Sequence, residues 1–292
     1  MGKDYIIATA STCDLTREYL EEHNIPFISY SYVMDDKSYE DDCREESRNE
    51  IYRQMREGKH LSTSAINTYT YKEFFEDLID KGNKNIIFLD MTRPLSSSYK
   101  YCEEAIAQIK EEGSDVNIVD VDTRCVSGGL GMLVKCVTKL YEAGESMEGV
   151  LSWIEDNKLR IAHRFTVDDL NWLKRGGRVS NASALVGTLL SIKPVLYVPN
   201  DGTLVASTKV RGRKTALNSI IDSVKNDLKE TEKPVFIINH ADCMDDAKYV
   251  RDRILESYPD ADITISGLGV VIGAHCGPGL ITVFYMTDAR RA

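Results

Sequence analysis

The sequence predicts an α/β protein with two domains. At 292 residues the chain suits two domains better than one, because single cores stop growing at roughly 250–300 residues. Apolar runs alternate with amphipathic stretches in the first half, which is typical of parallel strands joined by crossover helices. In the second half, Pro199-Asn200-Asp201-Gly202 separates two β-rich runs, and its Asp-Gly pair favours a hairpin.

The N-terminal domain, residues 1–152, is predicted to be a three-layer domain with a parallel sheet. Compact apolar runs predict strands at residues 5–8, 27–33, 86–89 and 116–121. Apolar residues at helical spacing predict helices at residues 15–23, 71–80, 98–111 and 129–141. The stretch from Met34 to Glu46, with seven Asp or Glu residues, is predicted to be a small solvated excursion.

The C-terminal domain, residues 153–292, is predicted to have a mixed, largely antiparallel sheet with helices on one face. Predicted strands cover residues 160–166, 192–198, 203–210, 235–239, 263–266 and 280–285. Predicted helices cover residues 150–157, 167–174, 214–229 and 245–257. The glycine-rich stretch from Gly267 to Gly279 is predicted to be a loop that leads into a strand. A dinucleotide fingerprint would require a helix there, so a nucleotide site is rejected.

Composition excludes several classes of function. The net charge of −10 disfavours attraction to nucleic acid or to an anionic membrane surface. The seven cysteines are scattered without a C-x-x-C pair, which argues against a disulfide framework or zinc site and fits a reducing cytoplasm. No apolar run approaches the ~20 residues of a membrane span, and no H-E-x-x-H metal motif occurs. We therefore expect a cytoplasmic protein without a metal.

Two hydroxyl clusters are candidate anion sites. Ser62-Thr63-Ser64 is predicted to lie in a loop between helices, and Ser96-Ser97-Ser98 follows the strand that ends near Asp90. Hydroxyls beyond the carboxyl ends of parallel strands, at helix N-termini, make good anion cradles. The alternative is that Ser96 or Ser98 only caps the helix that begins near Tyr99.

Three further segments carry candidate binding residues. Arg178 follows the Gly176-Gly177 turn. Its guanidinium can bind a carboxylate through two parallel hydrogen bonds, although the residue also fits a solvated helix end. His275, between tight glycine turns, is either a ligand contact or a structural histidine. Arg211 and Arg213 form a basic patch in an acidic protein, either a docking surface or a solvated corner.

Taken in order, these segments resemble the DegV family of bacterial fatty-acid-binding proteins over nearly the whole chain. The resemblance rests on seven motifs, which are I-I-A-T-A-S-T-C-D-L (6–15), S-T-S (62–64), L-S-S-S-Y (95–99), L-K-R-G-G-R-V-S (173–180), K-P-V-L (193–196) with Asp201-Gly202, K-V-R-G-R-K-T-A (209–216) and G-A-H-C-G-P-G (273–279).

The resemblance implies a long-chain fatty acid, such as palmitate or stearate, buried between the two domains. It implies that Thr63 and Ser96 hydrogen-bond the carboxylate. The residues implied to line the head-group region are Ser64, Ser97, Arg178 and His275. It also implies that the bound acid is the only ligand and that a separate ATP-dependent fatty acid kinase carries out phosphoryl transfer, so the chain itself is not an enzyme. The competing hypothesis is an acyl hydrolase or transferase that uses Ser96 or Ser98.

The chain departs from the family pattern at several positions. Ala10 stands where the family usually has an Asp, and Ala65-Ile66 replaces Gln-Pro. Arg93-Pro94 and Ser97 replace smaller residues around Ser96. A bulkier, more polar rim at this place is expected to change the preferred acid or tighten the head-group site.

Overall fold

The computed structural model describes residues 4–113, 115–178, 191–228 and 231–288. Val179 and Ser180, the last two residues of the motif that contains Arg178, lie outside this described part. The strands are β1 (Ile6–Ala10), β2 (Phe27–Ile28), β3 (Ser31–Met34), β4 (Lys37–Glu40), β5 (Leu61–Thr63), β6 (Asn85–Asp90), β7 (Asn117–Asp122), β8 (Ile161–Thr166), β9 (Ile192–Tyr197), β10 (Val205–Arg211), β11 (Val235–His240), β12 (Asp262–Gly267) and β13 (Ile281–Met286). The helices are α1 (Arg17–Glu22), α2 (Glu45–Arg56), α3 (Thr68–Asp80), α4 (Ser98–Glu111), α5 (Gly128–Glu142), α6 (Met147–Asn157), α7 (Leu170–Gly176), α8 (Arg213–Asp227), α9 (Met244–Leu255) and α10 (Val270–Cys276).

The N-terminal half is built on a parallel sheet with the strand order β2-β1-β6-β7. β6 lies inside this sheet, and Ile86 to Asp90 are all buried because helices cover the sheet. That environment explains why the strand reads as a continuous apolar run in the sequence. Polar groups then follow at the carboxyl ends of the strands, which is where the cavity described below lies.

The C-terminal half is built on a mixed sheet with the order β10-β9-β8-β13-β11-β12, in which β11 and β12 are parallel and the other pairings are antiparallel. On one face, α8 and α9 cover an apolar cluster that includes Phe236, Val283 and Tyr285. The opposite face packs against the N-terminal half, where Phe284 joins the larger core. The predicted fold class is thus confirmed.

The start of α5 is a point of very close approach between the two halves. A Cβ atom at Gly128 would lie 2.2 Å from Asn239 Oδ1, and one at Gly129 would lie 2.1 Å from His163 Nε2. Only glycine fits at such distances, so the Gly128-Gly129 pair serves close packing at the start of α5. The predicted boundary between residues 152 and 153 falls inside α6, and the division into two domains stays a prediction.

Three predicted segments differ from the structure. Residues 27–33 form two strands in different sheets, because β2 joins the parallel sheet whereas β3 joins a small antiparallel sheet of order β4-β3-β5. The segment 34–46 contains β4 and the start of α2, and it also contains the buried residues Asp41 and Cys43. Ser62 and Thr63 lie in β5, not in a loop between helices.

The largest difference concerns the glycine-rich segment near the C-terminus. Residues predicted to form a loop contain α10, which covers seven residues and ends in His275 and Cys276. Gly269 precedes this helix, and Gly277 follows it with a φ of +75°. His275 is therefore held by a helical turn.

Asp90 ends β6 with a buried carboxyl group. Its Oδ1 accepts a hydrogen bond from the Met91 amide at 2.7 Å, and Tyr71 donates to its Oδ2 at 3.5 Å. Burial, together with the nearby Asp120 carboxyl, raises the pKa of Asp90 to about 7. In the range between its ordinary pKa near 3.8 and about 7, the folded protein thus holds a proton that the unfolded chain has lost.

As the pH rises from 5 to 7, we expect the Asp90 carboxyl to lower the free energy of unfolding. The full loss is about 1.4 kcal/mol for each unit by which the pKa of Asp90 in the folded protein exceeds that in the unfolded chain. Asp90→Asn should weaken this decline, measured by urea unfolding at pH 5, 6, 7 and 8. Asp14 and Asp120, whose pKa values burial raises to about 7 and about 6, act in the same direction. The exposed Asp77→Asn is the control, and an unchanged pH profile in Asp90→Asn would contradict the prediction.

Candidate ligand-binding site

A cavity of about 180 Å³ is lined by residues from both halves of the chain. Most of its wall is apolar, and side chains from the parallel-sheet half face side chains from the mixed-sheet half. The main apolar lining residues are Met91, Leu95, Val126, Phe165, Val198, Leu204, Leu268, Leu280 and Phe284. A concave apolar site with a few polar groups is the usual form of a small-molecule site.

All six residues predicted for the head-group region line this one cavity. They are termed the mouth cluster and consist of Thr63, Ser64, Ser96, Ser97, Arg178 and His275. Ser64, Ser97 and Arg178 are exposed, and the other three are half-buried. By contrast, Phe165 and Phe284 are buried. The cavity therefore has a polar, solvent-exposed mouth and a buried, largely apolar interior.

Thr63 and His275 form the central contact of the mouth cluster. Thr63 Oγ1 lies 2.9 Å from His275 Nε2, which joins β5 to the last turn of α10. Gly176 of α7 lies against the other side of the imidazole, where an added Cβ would be 2.7 Å from His275 Nδ1. Burial, together with the Arg178 guanidinium, lowers the pKa of His275 to about 4. The imidazole is consequently neutral at pH 7.

Ser96 and Arg178 lie next to each other through the backbone of Leu95. Arg178 Nε donates to the Leu95 carbonyl at 3.3 Å, and Arg178 Nη1 donates to the Gly176 carbonyl at 2.6 Å. Ser96 Oγ accepts a hydrogen bond from the Ser98 amide at 3.2 Å. Ser96 thus satisfies one amide at the start of α4, through a bond that does not use its own hydroxyl proton.

Neither candidate nucleophile of the hydrolase hypothesis is paired with a base among the described residues. Ser98 is buried, and its Oγ accepts from the Ile66 amide at 3.0 Å. The nearby imidazoles make other contacts, since His275 meets Thr63 and His163 Nε2 accepts from the Val126 amide at 3.1 Å. A serine nucleophile needs an adjacent base to accept its proton, so this arrangement does not favour the hydrolase.

Helix α2 holds the segment that leads into α10. Arg48 is fully buried, and it donates to the carbonyl oxygens of Gly267 at 2.9 Å, Leu15 at 2.9 Å and Asp14 at 3.2 Å. One turn later, the Tyr52 hydroxyl donates to the Leu268 carbonyl at 3.1 Å. These bonds fix the start of the helix whose far end carries His275.

Besides the apolar wall, four cavity-lining residues with a hydroxyl or imidazole group were missed by reasoning from the sequence, namely Tyr30, Ser127, His163 and Thr282. Tyr30 follows β2 at its carboxyl end, but the predicted strand 27–33 placed it inside a strand. Ser127 has a φ of +58°, which no local sequence signal indicates. His163 and Thr282 lie in predicted strands, where their apolar neighbours gave no sign of a site.

Other predicted residues lie in different surroundings. The Arg93 guanidinium contacts Glu103 at 2.9 Å and Asp120 at 3.2 Å, and Arg93 is not among the lining residues. The departure at Arg93 therefore does not add a charge to the cavity rim. Arg213 forms an ion pair with Asp246 at 2.8 Å, and Arg211 is exposed at the end of β10. The docking role of Arg211 and Arg213 stays a prediction.

Comparison with known proteins identifies the family. The family model described as "Uncharacterised protein, DegV family" matches residues 5–288. The chain belongs to the DegV family. A DegV domain-containing protein of Clostridium perfringens is 35% identical over 289 residues, which are 99% of each protein. The resemblance inferred from the seven motifs is thus confirmed.

Solved DegV structures share the fold over the full chain. A DegV lipid-binding protein from Thermotoga maritima has a TM-score of 0.87 and 27% identity, with 99% of this chain and 100% of that chain covered. A fatty-acid-binding DegV family protein from Thermus thermophilus has a TM-score of 0.86 and 27% identity, with 97% and 99% covered. Both proteins are named for binding lipids.

Membrane spans and metal clusters are both absent from the described residues of this DegV protein. No helix in that part of the chain is long and apolar enough to cross a bilayer. The same residues contain no group of three or more His, Cys, Asp or Glu side chains arranged to hold a metal ion.

Proposed function

We propose that this protein binds a long-chain fatty acid, such as palmitate or stearate, with its carboxylate at the mouth cluster and its tail in the cavity. We further propose that it presents the acid to a separate ATP-dependent fatty acid kinase. The observation that carries the proposal is the change from a polar, exposed mouth to a buried apolar interior within one cavity. The lipid-binding relatives from Thermotoga and Thermus support it.

Thr63 and Ser96 are the proposed donors to the carboxylate. The proposal takes the neutral His275 imidazole in its Nε2–H tautomer, which donates to Thr63 Oγ1 across the 2.9 Å contact. The Thr63 hydroxyl then has its own proton free for a carboxylate oxygen. Ser96 has the same hydrogen-bonding role in the proposal, since its oxygen accepts from the Ser98 amide and its proton is directed to the carboxylate. His275 thus acts as a positioning residue that selects the direction of the Thr63 hydrogen bond.

Arg178 supplies the opposite charge at the mouth. A carboxylate removed from water without a partner is strongly disfavoured. The exposed Arg178 side chain is anchored by two backbone carbonyls next to Ser96 and His275, so its charge stays near the proposed carboxylate. Ser64 and Ser97 add exposed hydroxyls around the same place.

The tail supplies most of the binding free energy. Some fifteen methylenes of a C16 chain contribute roughly 12 kcal/mol at ~0.8 kcal/mol each when they leave water. Loss of translational and conformational freedom offsets several kcal/mol of that sum. The apolar wall therefore gives affinity, and the hydroxyl groups of the mouth cluster select a carboxylate.

A carboxylate at the mouth would remain accessible to a second protein. Three members of the mouth cluster are exposed, so a kinase has a route to the acid without withdrawing the tail. Under this proposal the chain supplies binding and orientation, and the kinase supplies ATP and phosphoryl transfer in the cytoplasm. No catalytic residue or further cofactor is assigned to this protein.

The proposal is tested by native mass spectrometry of the purified protein, followed by solvent extraction and identification of the bound molecule. We expect one long-chain fatty acid per chain, and we expect the loaded protein to yield an acyl phosphate when ATP and a fatty acid kinase are added. A protein that is empty and also fails to take up added palmitate or stearate would refute fatty-acid binding. Binding without acyl phosphate formation would refute presentation alone.

A further inference from the structure

Four polar side chains in the lining of the cavity are at most 3% exposed. They are Tyr30, Ser127, His163 and Thr282. Their neighbours in the wall include Phe165 and Phe284. A purely hydrocarbon tail offers these polar groups no hydrogen bond.

Ser127 and His163 already have hydrogen-bond partners within the protein. The Ser127 hydroxyl donates to the Asp14 carboxylate. His163 Nδ1 lies 3.0 Å from the Ile161 carbonyl, and His163 Nε2 accepts from the Val126 amide. Their roles in the interior wall are therefore accounted for by contacts within the chain.

Thr282 differs from them. Its Oγ1 is buried and has no hydrogen-bond partner among the described residues. The Tyr30 hydroxyl has none there either, but it lies close to Ser96 of the mouth cluster. Thr282 lies on β13, in register with Phe165 of β8 on one side and Asn239 of β11 on the other. The Oδ1 atom of Asn239 is likewise buried and unpartnered within the described part of the chain. A hydroxyl donor and an amide acceptor thus stand on adjacent strands without partners.

An unpartnered buried hydroxyl destabilises a folded protein, whereas valine fills nearly the same space without that penalty. The Thr282 hydroxyl is therefore explained if a polar group of the ligand forms a hydrogen bond with it. A ligand hydroxyl is the complementary group, because it can both donate and accept a hydrogen bond. Because Thr282 is buried and in register with the apolar wall residue Phe165, the inference places that group on the acyl chain and the carboxylate at the exposed mouth cluster.

We propose that Thr282 is a specificity-determining residue and that the preferred ligand is a long-chain fatty acid with a hydroxyl group on its chain. This inference rests on the proposed function, since the carboxylate must sit at the mouth cluster for Thr282 to meet the chain. Thr282 donates to or accepts from the chain hydroxyl, and the apolar wall holds the methylenes on either side of it.

The test compares the affinities of stearate and of its 2-, 10- and 12-hydroxy derivatives for the wild-type protein, Thr282→Val and Thr282→Ser. We expect the wild type to bind the 10- or 12-hydroxy acid about 3- to 10-fold more tightly than stearate, the range of one hydrogen bond. Thr282→Val should abolish this preference and leave stearate affinity equal or higher. Thr282→Ser, which keeps the hydroxyl, should retain it.

The outcomes separate this inference from the proposed function. If the wild type binds stearate but prefers no chain-hydroxylated acid, the role of Thr282 is refuted while fatty-acid binding stands. The role of Thr282 is also refuted if Thr282→Val keeps the preference with unchanged thermal stability. If a fully folded wild type binds none of these acids, the proposed function fails and the inference fails with it.

Discussion

Arg48→Met is expected to lower the free energy of unfolding by about 3–5 kcal/mol, the usual effect of removing one partner from a buried charge network. The substitution deletes three hydrogen bonds to backbone carbonyls, including the one to Gly267. It also removes the cation that faces the buried carboxyl groups of Asp14 and Asp41. Methionine retains most of the apolar volume, so the loss reflects hydrogen bonds and charge.

Urea unfolding of the wild type and the variant measures this loss as a shift of the midpoint at constant slope. Arg53→Met is the matched control on the same helix, because Arg53 is exposed and pairs only with Glu50 and Glu57 in the described residues. The control should stay within ~0.5 kcal/mol of the wild type. An Arg48→Met protein as stable as the control would show that the hydrogen bonds of Arg48 do not stabilise the segment before α10.

Thr63→Val and Ser96→Ala are each expected to weaken fatty-acid binding by about 10- to 150-fold. This range corresponds to ~1.5–3 kcal/mol for a hydrogen bond to a charged group. Valine keeps the shape of Thr63 and removes its hydroxyl, so the apolar cavity remains. Titration calorimetry with palmitate measures the dissociation constants of the wild type and both variants.

Ser62→Ala is the control for this pair. Ser62 precedes Thr63 on β5 and is exposed, but it does not line the cavity. Its variant should bind palmitate like the wild type, and all three variants should unfold at similar urea concentrations. If both Thr63→Val and Ser96→Ala bind palmitate with wild-type affinity, the carboxylate does not bind at these two hydroxyls, even if the protein still binds fatty acid elsewhere.

The fold class could be predicted from the sequence because both halves carry strong periodic signals. Buried parallel strands such as β6 read as continuous apolar runs, and the Asp201-Gly202 turn marks the hairpin of β9 and β10. The mouth residues were predicted because they fall in family motifs. The sequence around each residue does not show that they come together in the fold, since Thr63 and His275 are 212 residues apart.

Two errors arose where tertiary contacts override local signals. Helix α10 contains two adjacent valines and a glycine, which are poor helix formers, and it is short. Its geometry depends on packing, since an added Cβ at Gly273 would lie 2.0 Å from the Tyr52 hydroxyl. The apolar pattern of residues 27–33 predicts a single strand. Nothing in that pattern marks the change of sheet between Ile28 and Ser31.

The placement of β13 has a kinetic consequence. This strand comes after every other strand in chain order within the described residues, yet it lies between β8 and β11 inside the sheet. Its partner β8 is more than a hundred residues earlier, so the pairing closes a long loop and forms slowly compared with local hairpins. Because Thr282 and Phe284 belong to β13, the interior wall is complete only once this strand has paired. Chains in which β13 is unpaired therefore lack the cavity, and we expect ligand uptake during refolding to follow the pairing of β13.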